Sequence, residues 1–376
     1  MALEVFVGQT PLPTDAVGTT DLTSPDSTTV PVGAIHTRTK GITNGTLVQD
    51  FDFSVGMSDG TLSRSISSTV NSDQTVDDAS KGYHDAVVSR NTAGSNIQDG
   101  DVSHNAFIAG GQRVNDVQAF PLAHLCNHMF FAGCNATVKE VILNATVDTA
   151  VNTDPGHAWD VAIVLHCRET VLDDGDPDNM ASLGFMTKAD DKQACICTVT
   201  NNGDASPGNP GLRISNTYSG MRLNEETGAL IFGIDVQAGS VTSADVFPRI
   251  AGGESNLVAI LFLGFTTGES ALIFESASPA SLGNRQDTIG GTLVPIATID
   301  LISRAASYDV SETDAEAGVF GIGFSSDDSQ FCSYGHNEFA TGGNSNARGQ
   351  VNNVSIDVGR DDGNKNAGNA YLESNV

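Results

Sequence analysis

The chain has 376 residues, long enough for two or three domains, and 46 acidic against 18 basic residues give it a net charge of −28. Phosphate and anionic-lipid surfaces are bound by clustered Lys and Arg, so this balance argues against nucleic-acid and membrane partners. The longest apolar run is strand-sized, well short of the roughly 20 residues that span a bilayer. The N-terminus lacks the basic and apolar regions of a secretion signal.

The composition predicts an all-β fold, because Gly (40 residues), Ser, Thr, Asn, Asp and Val are abundant and long helix formers are few. Residues 1–34 hold four of the 12 prolines and predict an extended N-terminal arm. Beyond them, turn signals separate short strand-like runs, and only 311–317 (SETDAEA) matches a helical turn. The predicted strands are 46–55, 82–90, 120–131, 137–149, 159–172, 211–216, 229–236, 256–265, 271–275, 293–303, 318–324 and 351–358. This pattern predicts tandem β-sandwich or jelly-roll-like domains.

Three stretches of the sequence resemble one another, and each predicts a β-hairpin. The first, SVGMSDGTLSRS at 54–65, places Asp-Gly between alternating strands, which is a strong hairpin signal. The second, LGFMTKADDKQAC at 183–195, and the third, IGFSSDDSQFC at 322–332, share its apolar-Gly-apolar start and its acidic turn. We interpret the three hairpins as markers of three related β units.

The spacing of these hairpins gives the predicted domain boundaries. A Gly precedes a small residue of the returning strand by nine, eleven and nine positions, in the pairs Gly56 and Ser65, Gly184 and Cys195, and Gly323 and Cys332. The predicted β domains are therefore 35–135, 136–270 and 271–376. Because only 44 residues follow the third hairpin, we expect the last domain to be incomplete or completed by a partner.

One predicted strand carries the residue types of a transition-metal site. His124, Cys126 and His128 alternate along it, so they share one face, and imidazole and thiolate are good ligands for Zn or Cu. Same-face neighbours on a strand lie roughly 6.5–7 Å apart, which is wide for three ligands of one ion. The alternative is a strand whose polar side lines an interface.

The acidic loop DDGDPDN at 173–179 suits Ca²⁺, which takes six to eight oxygen ligands. Asp174, Asp176 and Asp178 are its candidate ligands, and the sequence predicts no cofactor other than this structural Ca²⁺. The stretch 361–364 (DDGN) near the C-terminus has the same character. The alternative for both is a solvated, charged turn.

The sequence contains no motif for catalysis. Nucleophile-elbow, phosphate-loop and zinc-protease patterns are absent, and no pair of carboxylates stands out. Cys195 and Cys197 place two thiols on one strand face, but they lack C-x-x-C spacing, so we interpret them as buried thiols. The chain is therefore predicted not to be an enzyme.

The stretch 51–68, FDFSVGMSDGTLSRSISS, resembles repeats in structural proteins of tailed bacteriophages, and the surroundings of Gly184 and Gly323 are similar to it. The resemblance covers three short blocks and carries over no catalytic residue. It implies a virion component of the tail, fibre or head exterior, assembled in the host cytoplasm with copies of itself and other virion proteins.

Two other classes of function remain open from the sequence. The first is a module that binds carbohydrate or a host-surface receptor, although one Trp and five Tyr offer few rings on which sugars could stack. The second is a polysaccharide-degrading enzyme, which would need two carboxylates in one groove.

Overall fold

The computed structural model describes residues 2–13, 18–40, 47–49, 51–71, 78–89, 101–116, 124–144, 146–172, 174–200, 211–225, 227–250, 255–274, 295–303, 309, 312–313, 318–326, 329–337, 346–352, 356–359 and 366–370. All regular structure in these residues is β-strand, which confirms the predicted all-β class. Among them there is no helix long and apolar enough to cross a membrane.

The strands are numbered in chain order. The first ten are β1 (Glu4–Leu12), β2 (Gly18–Thr23), β3 (Gly33–Lys40), β4 (Leu47–Gln49), β5 (Phe51–Ser58), β6 (Ser63–Asn71), β7 (Asp78–His84), β8 (Val102–Ile108), β9 (Gly111–Asp116) and β10 (His124–Ala132). The next eleven are β11 (Asn135–Leu143), β12 (Val151–Thr153), β13 (Val161–His166), β14 (Asp174–Pro177), β15 (Asn179–Thr187), β16 (Lys192–Thr200), β17 (Gly211–Ser215), β18 (Gly220–Leu223), β19 (Leu230–Ala238), β20 (Ala244–Pro248) and β21 (Asn256–Gly264). The last seven are β22 (Ala297–Ser303), β23 (Glu312–Thr313), β24 (Gly318–Ser326), β25 (Ser329–Asn337), β26 (Asn346–Asn352), β27 (Ile356–Gly359) and β28 (Asn366–Ala370).

Three large antiparallel sheets, which we call inner sheets I, II and III, form the framework. Their strand orders are β1-β10-β3-β5-β6-β7-β14, β11-β21-β13-β15-β16-β17-β23 and β22-β24-β25-β26-β4. Two smaller sheets, which we call outer sheets I and II, have the orders β2-β9-β8 and β12-β20-β19-β18, and β27 pairs with β28. Each inner sheet contains one of the three predicted hairpins at its centre.

The register of the three hairpins brings together the residues that mark them in the sequence. Each marker Gly pairs directly with the small residue of the returning strand, in the pairs Gly56–Ser65, Gly184–Cys195 and Gly323–Cys332. On its other side, each Gly pairs with the preceding strand of its sheet, at His36, Val164 and Asp300. β3, β13 and β22 are therefore counterparts in the three units, and so are the residues at these three positions.

The units exchange edge strands in a cycle. β14, from the second unit, pairs with β7 of inner sheet I, and β23, from the third unit, pairs with β17 of inner sheet II. β4, from the first unit, pairs with β26 of inner sheet III. Each exchanged strand lies directly before the hairpin of its own unit, so the three exchanges are equivalent. An edge strand left open exposes unpaired backbone groups, and each unit here closes the edge of another.

The inner sheets share one hydrophobic core. Ile35 of inner sheet I, Ile163 of inner sheet II, and Ile322 and Phe324 of inner sheet III belong to a single buried cluster. Burial of such side chains stabilises the fold by ~1.5–3 kcal/mol each. The opposite faces of inner sheets I and II are covered by the outer sheets, through two further clusters. Inner sheets I and II are thus each one layer of a β-sandwich, and all three inner sheets surround the shared core.

The N-terminal segment differs from the predicted extended arm. β1 pairs with β10 along its whole length, and β2 pairs with β9 of outer sheet I. Phe6 and Val7 are buried in two different clusters, one on each face of inner sheet I. The prolines that suggested an arm are compatible with this strand, because Pro11 lies near the end of an edge strand, where proline is tolerated.

Two further predicted elements are wrong. The predicted strand 271–275 is not one, since residues 271–274 lie outside any strand. The predicted helical turn at 311–317 contains a strand instead, because Glu312–Thr313 forms β23 and pairs with β17. The sequence of Glu312–Thr313 gives no sign of this strand, because its partner lies elsewhere in the chain.

The marker glycines allow another segment of backbone to cross the hairpin. A Cβ on Gly56 would lie 1.7 Å from the carbonyl oxygen of Val87, and a Cβ on Gly184 would lie 2.2 Å from that of Ser219. Both obstructing atoms are main-chain atoms, which cannot rotate away. Glycine at these positions is therefore required by close packing of the covering segment on the inner sheet.

We expect Gly56→Ala and Gly184→Ala each to lower the free energy of unfolding by at least about 2 kcal/mol, because the added methyl group overpacks the backbone. The measurement is urea denaturation followed by circular dichroism. Gly220→Ala is the matched control: its Cβ would meet first the flexible Cδ1 of Ile234, at 3.0 Å. If all three variants lost the same stability, backbone crossing would not be the cause.

Candidate functional site

Four residues on neighbouring strands form a row across inner sheet I. The glycines at the two ends of the row leave room on this face of the sheet beside the two histidine side chains between them. Gly8 of β1 pairs with His128 of β10, His128 pairs with His36 of β3, and His36 pairs with Gly56 of β5. Both imidazole rings are fully buried, with centroids 6.2 Å apart. A Cβ on Gly8 would lie 2.6 Å from Nε2 of His128, so the ring occupies the space that a side chain would take.

Outer sheet I covers this row and sets the orientation of both rings. Nε2 of His36 lies 2.9 Å from Oε1 of Gln112, and Nε2 of His128 lies 3.1 Å from the carbonyl oxygen of Thr23. Because both of these oxygens accept hydrogen bonds, each imidazole donates from Nε2. In each neutral ring, Nδ1 then carries a lone pair, and neither Nδ1 has a hydrogen-bond partner.

Cys126 completes a cluster with the two histidines. It lies two residues before His128 on β10, and it is fully buried between the two sheets. One ring nitrogen of His36, one of His128 and Sγ of Cys126 all lie within 4.8 Å of one another. This is the one group of three potential metal ligands found within the described residues. We call it the His-Cys-His cluster.

Both histidines of the cluster are neutral at physiological pH. Burial lowers the pKa of His36 to about 3, with a further contribution from the neighbouring His128. Burial also lowers the pKa of His128 to about 4. A neutral imidazole is the form that binds metal ions.

The counterpart of this cluster in the second unit is apolar. Where inner sheet I has His36 and His128 side by side, inner sheet II has Val164 paired with Ile260. Val258 of inner sheet II takes the place of Cys126. These three aliphatic side chains belong to the cluster that packs against outer sheet II. The two-layer arrangement therefore does not itself require polar residues at these positions.

The sequence prediction of His124, Cys126 and His128 as ligands differs from the cluster in one member. Nδ1 of His124 lies 3.0 Å from Nη1 of Arg38, which in turn is 2.5 Å from Oδ1 of Asp52. His124 is therefore part of a buried charged network and lies outside the cluster. Its place is taken by His36, whose pairing with β10 across 92 residues gives no signal in the sequence.

The predicted Ca²⁺ loop is largely a strand. Asp174 and Asp176 lie in β14, which pairs with β7. Asp178 follows with a left-handed φ of 81°, and its carboxylate is 3.9 Å from Nη1 of Arg168. That guanidinium is also 2.6 Å from Glu225. The nearby arginine disfavours a cation beside Asp178, and Ca²⁺ binding by this segment stays a prediction. The second acidic stretch, 361–364, lies outside the described residues.

Cys195 and Cys197 lie on one face of β16, as the sequence predicts, in a small cluster beneath outer sheet II. Burial raises the pKa of both thiols well above the ordinary value. The buried, protonated thiols act as apolar core residues here.

The edge of inner sheet III at β22 is the second notable feature. Among the described residues, β22 has β24 as its one neighbour, whereas its counterparts β3 and β13 are paired on both sides. β3 and β13 are almost wholly buried, while residues 297–301 of β22 are half-buried. At this edge, the described residues include no counterpart of β10 and β21.

Apolar side chains are exposed in the segment that precedes β22. Leu272, Phe274 and Ile296 are 41%, 52% and 46% exposed. β11, the first strand of the second unit, follows β10 in the chain. Residues 271–274 follow β21 in the same way, so they occupy the chain position of a first strand in the third unit. Ala271 packs against the shared core, and Lys192 at the start of β16 donates a hydrogen bond to the carbonyl oxygen of Ile273.

Comparison of the chain with known protein families, curated proteins and solved structures finds no match.

Four buried histidines make the fold sensitive to acid. Burial lowers the pKa of His36 and His84 to about 3, and the pKa of His128 and His166 to about 4. In the unfolded chain these groups titrate near pH 6.5. Between these values the unfolded state binds more protons than the folded state, so the free energy of unfolding falls as the pH falls from about 6.5 towards 4.

We expect urea denaturation at a series of pH values to show this loss of stability. In the variant His166→Phe, the slope of the free energy of unfolding against pH should fall by the contribution of about one proton. Phe fits the site because the His166 ring packs 5.9 Å from that of Phe232. An unchanged slope in this variant would show that His166 is protonated in the folded state.

Proposed function

We propose that the chain is a structural component of a tailed-phage virion, and that copies of it assemble by strand addition at the open edge of β22. The resemblance of the hairpins supports the virion setting. The single observation that supports the mode of assembly is that, within the described part of the chain, β22 has one neighbour where β3 and β13 have two. Strand addition to such an edge supplies main-chain hydrogen bonds along its whole length.

The repeat indicates which kind of strand this edge accepts. β10 and β21, the counterparts of the absent strand, each have nine residues, and all of them are buried. Both run antiparallel to the strand that they cover. The incoming strand is therefore about this long and becomes buried on both faces, and it covers Ile299 and Leu301, which pack half-buried against the shared core.

A second copy of this chain is the partner that the fold favours. Each inner sheet already closes one edge with a strand from another unit of the same sequence. If the same mode of pairing extended from one copy to the next, it would close the edge of β22. The net charge of −28 on each copy opposes association, and because salt screens such repulsion, assembly should strengthen at higher ionic strength.

Light scattering coupled to size exclusion tests this proposal. We expect particles of at least twice the 39.0 kDa chain mass, with the assembled fraction rising as NaCl is raised to about 0.5 M. Leu272→Ser with Phe274→Ser should reduce the assembled fraction at least tenfold, because both side chains are exposed apolar groups in the segment between β21 and β22.

Val171→Ser with Val241→Ser is the matched control, since these valines are 55% and 69% exposed outside the third unit. We expect this control to assemble like the unaltered chain, and both double variants to keep its unfolding midpoint. A stable monomer at every salt concentration would overturn assembly between copies. An equal loss of assembly in the two double variants would show that the edge of β22 is not the site.

A further inference from the structure

The geometry points to a metal centre formed by His36, Cys126 and His128, which takes a soft monovalent ion, Cu(I). It lies between inner sheet I and outer sheet I, away from the edge proposed for assembly. The residues that form this centre have no part in the proposed assembly.

The spacing of the three groups is close to that of a coordination sphere. Metal–nitrogen and metal–sulfur bonds of roughly 2.0 and 2.3 Å place the ligands of a trigonal ion roughly 3.5–3.8 Å apart. The potential ligand atoms of the cluster lie within 4.8 Å of one another. Side-chain rotations that bring them about 1 Å closer would complete a three-coordinate site without movement of the strands.

The hydrogen bonds of the two rings leave the atoms that a metal needs. Nε2 of each ring donates to Gln112 or to Thr23, and each buried Nδ1 is without a partner. A buried acceptor left unsatisfied costs ~1–3 kcal/mol. An ion bound through Nδ1 would remove this cost at each ring that it engages. A ligating imidazole usually donates its second nitrogen to a carbonyl or carboxylate, which fixes the ring as Gln112 and Thr23 do here.

Charge favours Cu(I) over Zn(II). One thiolate balances one positive charge, so a Cu(I) complex of this cluster is neutral, whereas a Zn(II) complex leaves a net positive charge in a buried site. Arg38, which pairs with Cys126 across the strands, already uses Asp52 as its counter-ion. Thiolate and imidazole ligands also suit Cu(I), because soft ligands select soft ions.

The second unit supplies a variant that should fold. His36→Val with His128→Ile places on inner sheet I the residues that inner sheet II has at these positions, Val164 and Ile260. Because the second unit packs an outer sheet over those side chains, loss of metal binding in this variant would reflect the ligands rather than the fold.

The experiment is an anaerobic titration of the full chain with Cu(I) in competition with a chromophoric chelator, with metal content measured after dialysis. We expect one equivalent of Cu(I), a rise in melting temperature on binding, and preference over Zn(II). His36→Val with His128→Ile, and Cys126→Ala, should each lower the affinity at least 100-fold. Gln112→Leu, which removes the bond to the His36 ring, should lower it 10–100-fold.

Cys197→Ala is the matched control for the thiol, because Cys126 and Cys197 are both fully buried on inner-sheet strands. It should leave Cu(I) affinity unchanged. The metal centre would be overturned if the unaltered chain bound no more Cu(I) than His36→Val with His128→Ile, or if Cys197→Ala weakened binding as much as Cys126→Ala. Preferential binding of Zn(II) would overturn the assignment of the ion.

Discussion

Closure of sheet edges by strands from other units is the constraint on which the rest of this structure depends. The exchanged strands β4, β14 and β23 are two to four residues long, too short to form independent elements, yet each covers the hydrogen-bonding edge of another unit. Because the exchange is cyclic, no unit can be removed without opening an edge in another. The same cycle holds the three inner sheets around one core, so the units are better regarded as parts of one cooperative body than as separate domains.

The parts of this fold that could be predicted from sequence are those determined by neighbouring residues. The three hairpins follow from a turn signal between alternating strands, whether nine residues separate the paired positions, as for Gly56 and Ser65, or eleven, as for Gly184 and Cys195. The exchanged strands could not be predicted, because Glu312–Thr313 has strand structure only through contact with Gly211 and Leu212, about 100 residues away. The first strand could not be predicted for a related reason. The prolines of residues 1–34 indicate an extended arm, and the pairing of β1 with β10 is not visible in the sequence.

The candidate site could likewise be predicted only where it depends on neighbouring residues in the sequence. Alternation along β10 places Cys126 and His128 on one face, and the sequence is sufficient for that step. The sequence cannot show that His124, the next residue on that face, is hydrogen-bonded to Arg38 and so lies outside the cluster. Nor can it show that His36 lies directly opposite His128, because that register depends on how β3 and β10 meet across the sheet.

The second unit is the reference against which the other two can be compared. Its central strand β13 has neighbours on both sides, and its outer face is packed with aliphatic side chains over the marker Gly. The first unit has the same framework but replaces three of those side chains with two imidazoles and a thiol, at the cost of unsatisfied buried nitrogens. The third unit keeps the hairpin but leaves one side of β22 without a described partner, and apolar side chains are exposed in the segment that precedes β22. Since the fold is satisfied at both places in the second unit, neither departure is required for folding.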